Sequence, residues 1–412
     1  MALAETVGPK LARMRAGSVL LGPAFVAAIA YVDPGNVASN ISAGAQYGYL
    51  LVWVIVAANL MAALVQYLSA KLGLVTGMSL PEAVRERMPR GARLAYWGQA
   101  ELVAIATDLA EVVGGAIALN LLFDLPLLAG GVITGIVSMA LLLVQDRRGQ
   151  RPFERVVTGL LAIIAIGFLA SVFVEPPSGS GTLGGLVPRF DGAGSVLLAA
   201  AMLGATVMPH AVYLHSGLAR DRHGRQRGSG LSRLLRATRI DVGLAMVLAG
   251  AVNLSMVLLA ATILRGRGDV DSIAGAHAAI GQMLGGAVAL LFAIGLLASG
   301  LASTSVGAYA GAMIMQGLLR KRIPLLLRRL ITLTPAIAVL AAGADPSRAL
   351  VVSQVVLSFG IPFALVPLVR LTSDRAVMGA QANHRFTTAL AWAIAGVIIV
   401  LNIALVYLTF AG

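Results

Sequence analysis

The chain has 412 residues, of which 58% are hydrophobic and 12% charged, and its mean hydropathy is +0.88. A soluble domain runs at about 45–50% apolar and about 25% charged, so this composition excludes one. It also argues against a nucleic-acid reading of the net charge of +13, and the absence of cysteine removes disulfides, thiolate metal sites and cysteine nucleophiles.

Taken in chain order, apolar runs near the ~20 residues that cross a bilayer as a helix recur eleven times. They fall at 17–43, 47–72, 93–122, 125–144, 155–174, 193–218, 237–264, 273–318, 326–343, 349–370 and 387–410. The eighth is long enough to end in a short extra helix or turn after Ser303–Ser305. The polar segment 1–16 precedes span 1. Because span 1 contains Asp33 and ten more spans follow, it reads as a retained helix rather than a signal peptide.

Basic residues fix the expected orientation. Alternate loops at 1–16, 71–93, 147–155, 220–239, 320–329 and 370–385 hold 27 of the 31 Lys and Arg, and the other side holds Arg189, Arg265, Arg267 and Arg348. The N-terminus is therefore expected in the cytoplasm and the C-terminus outside. Asp241, at the cytoplasmic start of span 7, reads as a snorkelling side chain or a cap.

Two spans carry breaks. Asp33-Pro34-Gly35-Asn36 interrupts span 1, and Gly204-Ala205-Thr206-Val207-Met208-Pro209-His210 interrupts span 6. Proline lacks an N–H and clashes with the preceding turn, so each helix should unwind at mid-depth. Irregular backbone there is tolerated only inside protein or along a cavity. Asp33 falls sixteen residues into its span and Met208 fifteen into its own. Five spans from each break close a unit, and an odd number inverts the second unit. The expected organisation is a cytoplasmic segment (1–16), a first repeat of spans 1–5 (17–175), a second of spans 6–10 with its external loop (176–371), and a loop with span 11 (372–412). Paired broken helices in inverted repeats point to a transporter's substrate site.

The groups at the breaks are a carboxylate (Asp33), an amide oxygen (Asn36), a thioether (Met208) and the carbonyls of Ala30 and Ala205. Neither break carries Lys or Arg to hold an organic anion. Oxygens with one sulfur suit a divalent transition metal better than magnesium or calcium. Core packing is the competing role for Met208, and capping of the second half-helix for Asn36. In span 3, Glu101, Asp108 and Glu111 lie at i, i+7 and i+10. They form one acidic stripe, and intramembrane acids are usually functional.

Asp-Pro-Gly-Asn in span 1 and Met-Pro-His in span 6, extending through Val207–Ser216, resemble the natural resistance-associated macrophage protein (Nramp) family. The likeness is to its bacterial proton-coupled manganese transporters, and it covers all eleven spans. It implies an all-α membrane protein of the LeuT type: a 5+5 inverted repeat with broken helices 1 and 6, plus one C-terminal helix. It implies import of manganese, ferrous iron and related ions with protons, in the bacterial plasma membrane, with no cofactor and no required protein partner. The implied metal ligands are Asp33, Asn36, Met208, the carbonyls of Ala30 and Ala205, and Gln354 from span 10 in some conformations. The implied proton route runs from Asp33, with His210 beside it, through Asp108 and Glu111. A span 9 arginine joins it, Arg329 before Arg328, while Glu101 belongs to it by the stripe. Ala211 stands where many relatives carry Asn, and magnesium-carrying relatives tend to lack the Met at 208. His215 reads as structural, and Gly360 with Pro362 as a hinge or a plain kink.

Other readings stay open: a transporter of this fold for magnesium or an amino acid, or a channel. An intramembrane aspartyl protease fits poorly, because neither acid has a protease-like setting. No phosphate-cradling Gly-rich loop is present.

Overall fold

A computed structural model describes residues 22–224, 228–266, 272–321 and 323–411. The expected N-terminal segment and the start of span 1 therefore lie outside the described residues. Among those described, all regular structure is helical.

Span 1 consists of α1 (Pro23–Ala28), a 3-10 turn (Ile29–Val32) and α2 (Pro34–Tyr47). Then come α3 (Val52–Thr76), short α4 (Leu80–Arg85), α5 (Arg90–Phe123), α6 (Leu127–Arg148), α7 (Gln150–Val174) and short α8 (Gly179–Gly184). Span 6 is α9 (Gly192–Thr206) and α10 (Pro209–His223), and α11 (Gly228–Ile263), α12 (Ile273–Leu284) and α13 (Gly286–Leu319) follow. The chain ends in α14 (Leu325–Ala341), α15 (Pro346–Ser373), short α16 (Arg375–Met378) and α17 (Arg385–Ala411). Nine stretches among the described residues are long and apolar enough to span a membrane, one of them running through both α2 and α3. Dividing that stretch and adding α14, 17 residues long, makes eleven crossings.

The eighth span differs from expectation. Its extra helix, α12, comes first, and Gly285 at φ 89° separates it from α13. α13 runs unbroken through Ser303–Ser305, where the hydroxyls of Ser303 and Ser305 donate to the carbonyls of Ser299 (2.8 Å) and Leu301 (2.9 Å) one turn back. Serines bonded in this way satisfy their hydroxyls within the helix and can bend it without ending it. α15 likewise continues through Gly360 and Pro362.

α5 is the central helix, with 83% of its span window buried against 28% for α17 at the periphery. Lipid offers no hydrophobic drive between helices, so contacts rest on small residues that let backbones meet. A Cβ on Gly300 of α13 would stand 2.9 Å from the Gly115 nitrogen of α5, and one on Gly167 of α7 2.9 Å from the Gly295 Cα of α13.

The first half-helix is tied across the bundle. Asp241 of α11 accepts the Gly22 and Ala24 N–H groups at 3.0 Å each, one per oxygen. It is a cap, but for α1 rather than for its own helix. Arg222 of α10 meets Glu154 of α7 nearby, at 2.8 Å.

Where α3 crosses α10, the Ser69 hydroxyl donates to the Val212 carbonyl at 2.5 Å, and a Cβ on Gly73 would lie 2.0 Å from the Ser216 carbonyl oxygen. A backbone oxygen cannot swing aside, so Gly73→Ala should cost about 1–3 kcal/mol as overpacking does. Thermal unfolding in detergent should show a lowered Tm, while Gly98→Ala, facing open space, leaves it unchanged. Equal Tm values for the two variants would contradict this packing.

Candidate metal site between two helix breaks

Pro34 and Pro209 sit four residues after Ala30 and Ala205. An α-helix bonds each carbonyl to the N–H four residues on, so each proline removes the donor that Ala30 or Ala205 would use. The first break tightens to a 3-10 turn and then extends at Asp33 (φ −71°, ψ 167°). The second ends its helix on the Val207 N–H to Leu203 carbonyl bond (3.0 Å) and extends through Met208 (φ −73°, ψ 123°).

The two breaks bond to each other. The Asn36 amide nitrogen donates to the Ala205 carbonyl (2.8 Å) and to Asp33 Oδ1 (2.7 Å). Asp33 Oδ1 also accepts the Asn36 N–H at 2.8 Å, so the cap of α2 is Asp33, and the Asn36 side chain is free to cross to α9. Thr206 Oγ1 approaches Asn36 Oδ1 at 3.4 Å.

Three of the unpartnered buried atoms gather at the first break. Among the described residues, buried Asp33 Oδ2 and both polar atoms of Gln354 have no hydrogen-bond partner. Buried polar atoms without partners are rare and costly. They lie together: a Cβ on Gly35 would stand 1.8 Å from Gln354 Nε2 and 3.3 Å from Asp33 Oδ2. Glycine at 35 is thus what admits Gln354 of α15 to the break. Met208 and Ala30 are fully buried. No group of three or more His, Cys, Asp or Glu suited to a metal occurs among the described residues, so the candidate set rests on one carboxylate, amides, a thioether and carbonyls.

Sequence reasoning missed the residues that hold the first break in shape. Asn253 of α11 donates to the Tyr31 carbonyl (2.7 Å), and Ser299 of α13 to the Val32 carbonyl (2.5 Å). Gln66 of α3 donates to the Tyr31 hydroxyl and pairs through Oε1 with His215 Nδ1 at 2.7 Å. His215 is therefore one end of a polar chain across three spans. No local spacing announces such partners, because they meet only when distant helices pack.

The acidic stripe divides into two arginine pairs. Arg329, fully buried, sets Nη1 2.5 Å from Asp108 Oδ1 and donates from Nε to the Ser138 hydroxyl at 3.1 Å. Arg328 reaches Glu101 instead, at 2.7 Å, and Glu101, 21% exposed, stands at the rim. Both arginines are buried rather than flanking a span. Glu111 is buried within electrostatic reach of Asp108, Arg329 and Asp33, beside Ser303. His210 is buried within electrostatic reach of Asp108. It lines a cavity of about 10 Å³ with Gln99, Tyr213 and Gly360, room for about one water.

The comparisons agree with this architecture. A family model described as natural resistance-associated macrophage protein-like matches residues 24–408. The chain is 68% identical over 394 residues to the divalent metal cation transporter MntH of Mycobacterium tuberculosis (strain ATCC 25618 / H37Rv), covering 95% of this chain and 92% of that one. It is 47% identical over 411 residues to MntH of Bacillus subtilis (strain 168), covering 99% and 96%. Among solved structures it is similar to the manganese transporter of Eremococcus coleocola, with TM-score 0.85 and 32% identity over 94% of this chain and 86% of that one. Mhp1, a nucleobase-cation-symport-1 family transporter, shares the fold alone at 15% identity and TM-score 0.62, over 94% of this chain and 89% of that one. With a family match over nearly its whole length and relatives this close, the chain belongs to the natural resistance-associated macrophage protein family.

Proposed function

We propose that this chain imports divalent transition metal, manganese foremost and ferrous iron with it, driven by protons through alternating access. One observation carries the reading: the partnerless Asp33 Oδ2 and Gln354 amide converge at Gly35 in the break that Asn36 ties to the break holding Met208. The names of the relatives, divalent metal cation transporters and a manganese transporter, support the same substrate class.

The chemistry follows from these groups. Asp33 binds metal only when deprotonated. Asn36 reaches the metal through its amide oxygen, and its amide nitrogen then releases the Ala205 carbonyl as a further ligand beside that of Ala30. The Met208 thioether favours manganese and iron over magnesium and calcium, which prefer all-oxygen sites. Glu111 and Asp108 receive the proton from Asp33, Arg329 balances their charge, and His210 lies alongside. Glu101 with Arg328 closes the row at the rim. The arginine-rich loops set this end of the bundle in the cytoplasm, with the C-terminus outside a bacterial plasma membrane. Spans 1 and 6, the broken first helices of the repeats 17–175 and 176–371, rock against the remaining scaffold to open the inside.

Proteoliposomes with acid outside should accumulate manganese against its gradient, and Asp33→Ala should abolish this. Manganese moving only downhill would make the protein a channel. Magnesium entry without manganese would overturn the substrate. Met208→Ala should weaken manganese binding at least ~10-fold, about 1.4 kcal/mol, and widen access to calcium and magnesium. Unchanged selectivity would remove the thioether from the site.

The Asp108–Arg329 pair has a separate readout. Asp108→Leu alone strands a buried guanidinium, which costs about 3–5 kcal/mol and should lower the Tm accordingly. Adding Arg329→Met should restore much of the Tm but not proton-driven accumulation. Recovery of accumulation in the double variant would exclude the pair from the proton route.

A further inference from the structure

The arginine-rich end of the bundle carries a groove of about 850 Å³ that the transport reading does not use. It opens between the end of α15, the start of α17 and the segment joining α4 to α5. Its cations are Arg87 and Arg370, its apolar wall includes Phe363 and Trp392, its carboxylate is Asp374, and Tyr96 lies in its floor.

This lining is amphiphilic in an ordered way. Phe363, Val366 and Arg370 stand at i, i+3 and i+7 of α15, one face of a helix. Arg370 is thus two turns, about 10.5 Å, further toward the helix end than Phe363. Phe363 and Trp392 are 45% and 41% exposed on helices that span the membrane, and a tryptophan near a helix end suits the lipid–water boundary. Among the described residues the five ion pairs include neither Arg87 nor Arg370. Asp374 spends Oδ1 on the Ala376 N–H at 2.8 Å. The groove therefore holds two guanidinium groups outside those ion pairs beside a greasy wall, near the ends of two membrane-spanning helices.

We propose that this groove is a binding site for an anionic glycerophospholipid. Its phosphate sits between Arg87 and Arg370, where paired guanidinium donors suit phosphate oxygens. An acyl chain lies along Phe363, Val366 and Trp392. Basic pockets between helices at the cytoplasmic side are where anionic headgroups gather, and here the proposal rests on the orientation given above, not on the metal site. The lipid also touches a junction: the Tyr96 hydroxyl meets that of Tyr213 of α10 at 2.7 Å and donates to the Phe363 carbonyl. Filling the groove therefore holds α5, α10 and α15 together.

The test uses the full chain in phosphatidylcholine nanodiscs with added phosphatidylglycerol, read by native mass spectrometry and Tm. Phosphatidylglycerol should be retained at least ~10-fold over phosphatidylcholine and should raise the Tm. Arg87→Ala with Arg370→Ala, or Arg370→Glu alone, should erase both effects, while Arg375→Ala, on the neighbouring α16, keeps them. Equal retention of the two lipids, or a preference that survives Arg370→Glu, overturns the proposal. So does displacement of the lipid by inorganic phosphate, which would make this a free-anion site. Manganese uptake by the variants in phosphatidylcholine vesicles should match that of the parent chain, so failure here is distinguishable from failure of the transport reading.

Discussion

Everything at the centre of this protein depends on the hydrogen bond between the Asn36 amide and the Ala205 carbonyl, 2.8 Å long. Two prolines have removed backbone donors from two helices at a depth where water is scarce, and a bare carbonyl in that setting costs several kcal/mol. A donor must come from elsewhere in the protein. Asn36 supplies it from one break to the other, and so fixes how the half-helices α1–α2 and α9–α10 face each other. The constraint is also the reason the site is soft. On the proposed transport reading, a metal ion would replace this bond and take the carbonyl that Asn36 now satisfies.

The surrounding polar residues divide into two groups by the same physics. Asn253, Ser299, Gln66 and His215 are committed to the first break, and they hold irregular backbone in one shape. Asp33 Oδ2 and Gln354 are committed to nothing. Bonds that fix the backbone beside unmet polar atoms are what a preorganised site requires, and among the described residues the His210 nitrogens, the Glu111 oxygens and His215 Nε2 are unmet as well.

Charge is handled with similar economy. Arg329 is completely buried yet stands beside Asp108 and Ser138. Removing either ionic partner would be costly, so the pair acts as one unit within the helix bundle. At the opposite end of α1, Asp241 accepts the first N–H groups of that half-helix. A six-residue helix has little stability of its own, and this contact and its packing hold it against the bundle. The short half-helix α1 is thus held by few, identifiable bonds.

Eleven crossings, two breaks and the residue types within them are written in the order of the amino acids. Hydropathy, proline chemistry and charge sidedness are local, and they survive without coordinates. Asp33, Asn36 and Met208 were legible because each lies within a residue or two of a proline in an apolar run. Tertiary structure alone decided the rest. Asp33, not Asn36, caps α2; Arg328 turns to Glu101 and Arg329 to Asp108; α12 precedes α13 instead of following it. The polar chain from Tyr31 through Gln66 to His215 left no trace in spacing, since its members lie on three different spans. Which buried group bonds which is set by how helices distant in sequence pack, and that geometry is a property of the whole bundle.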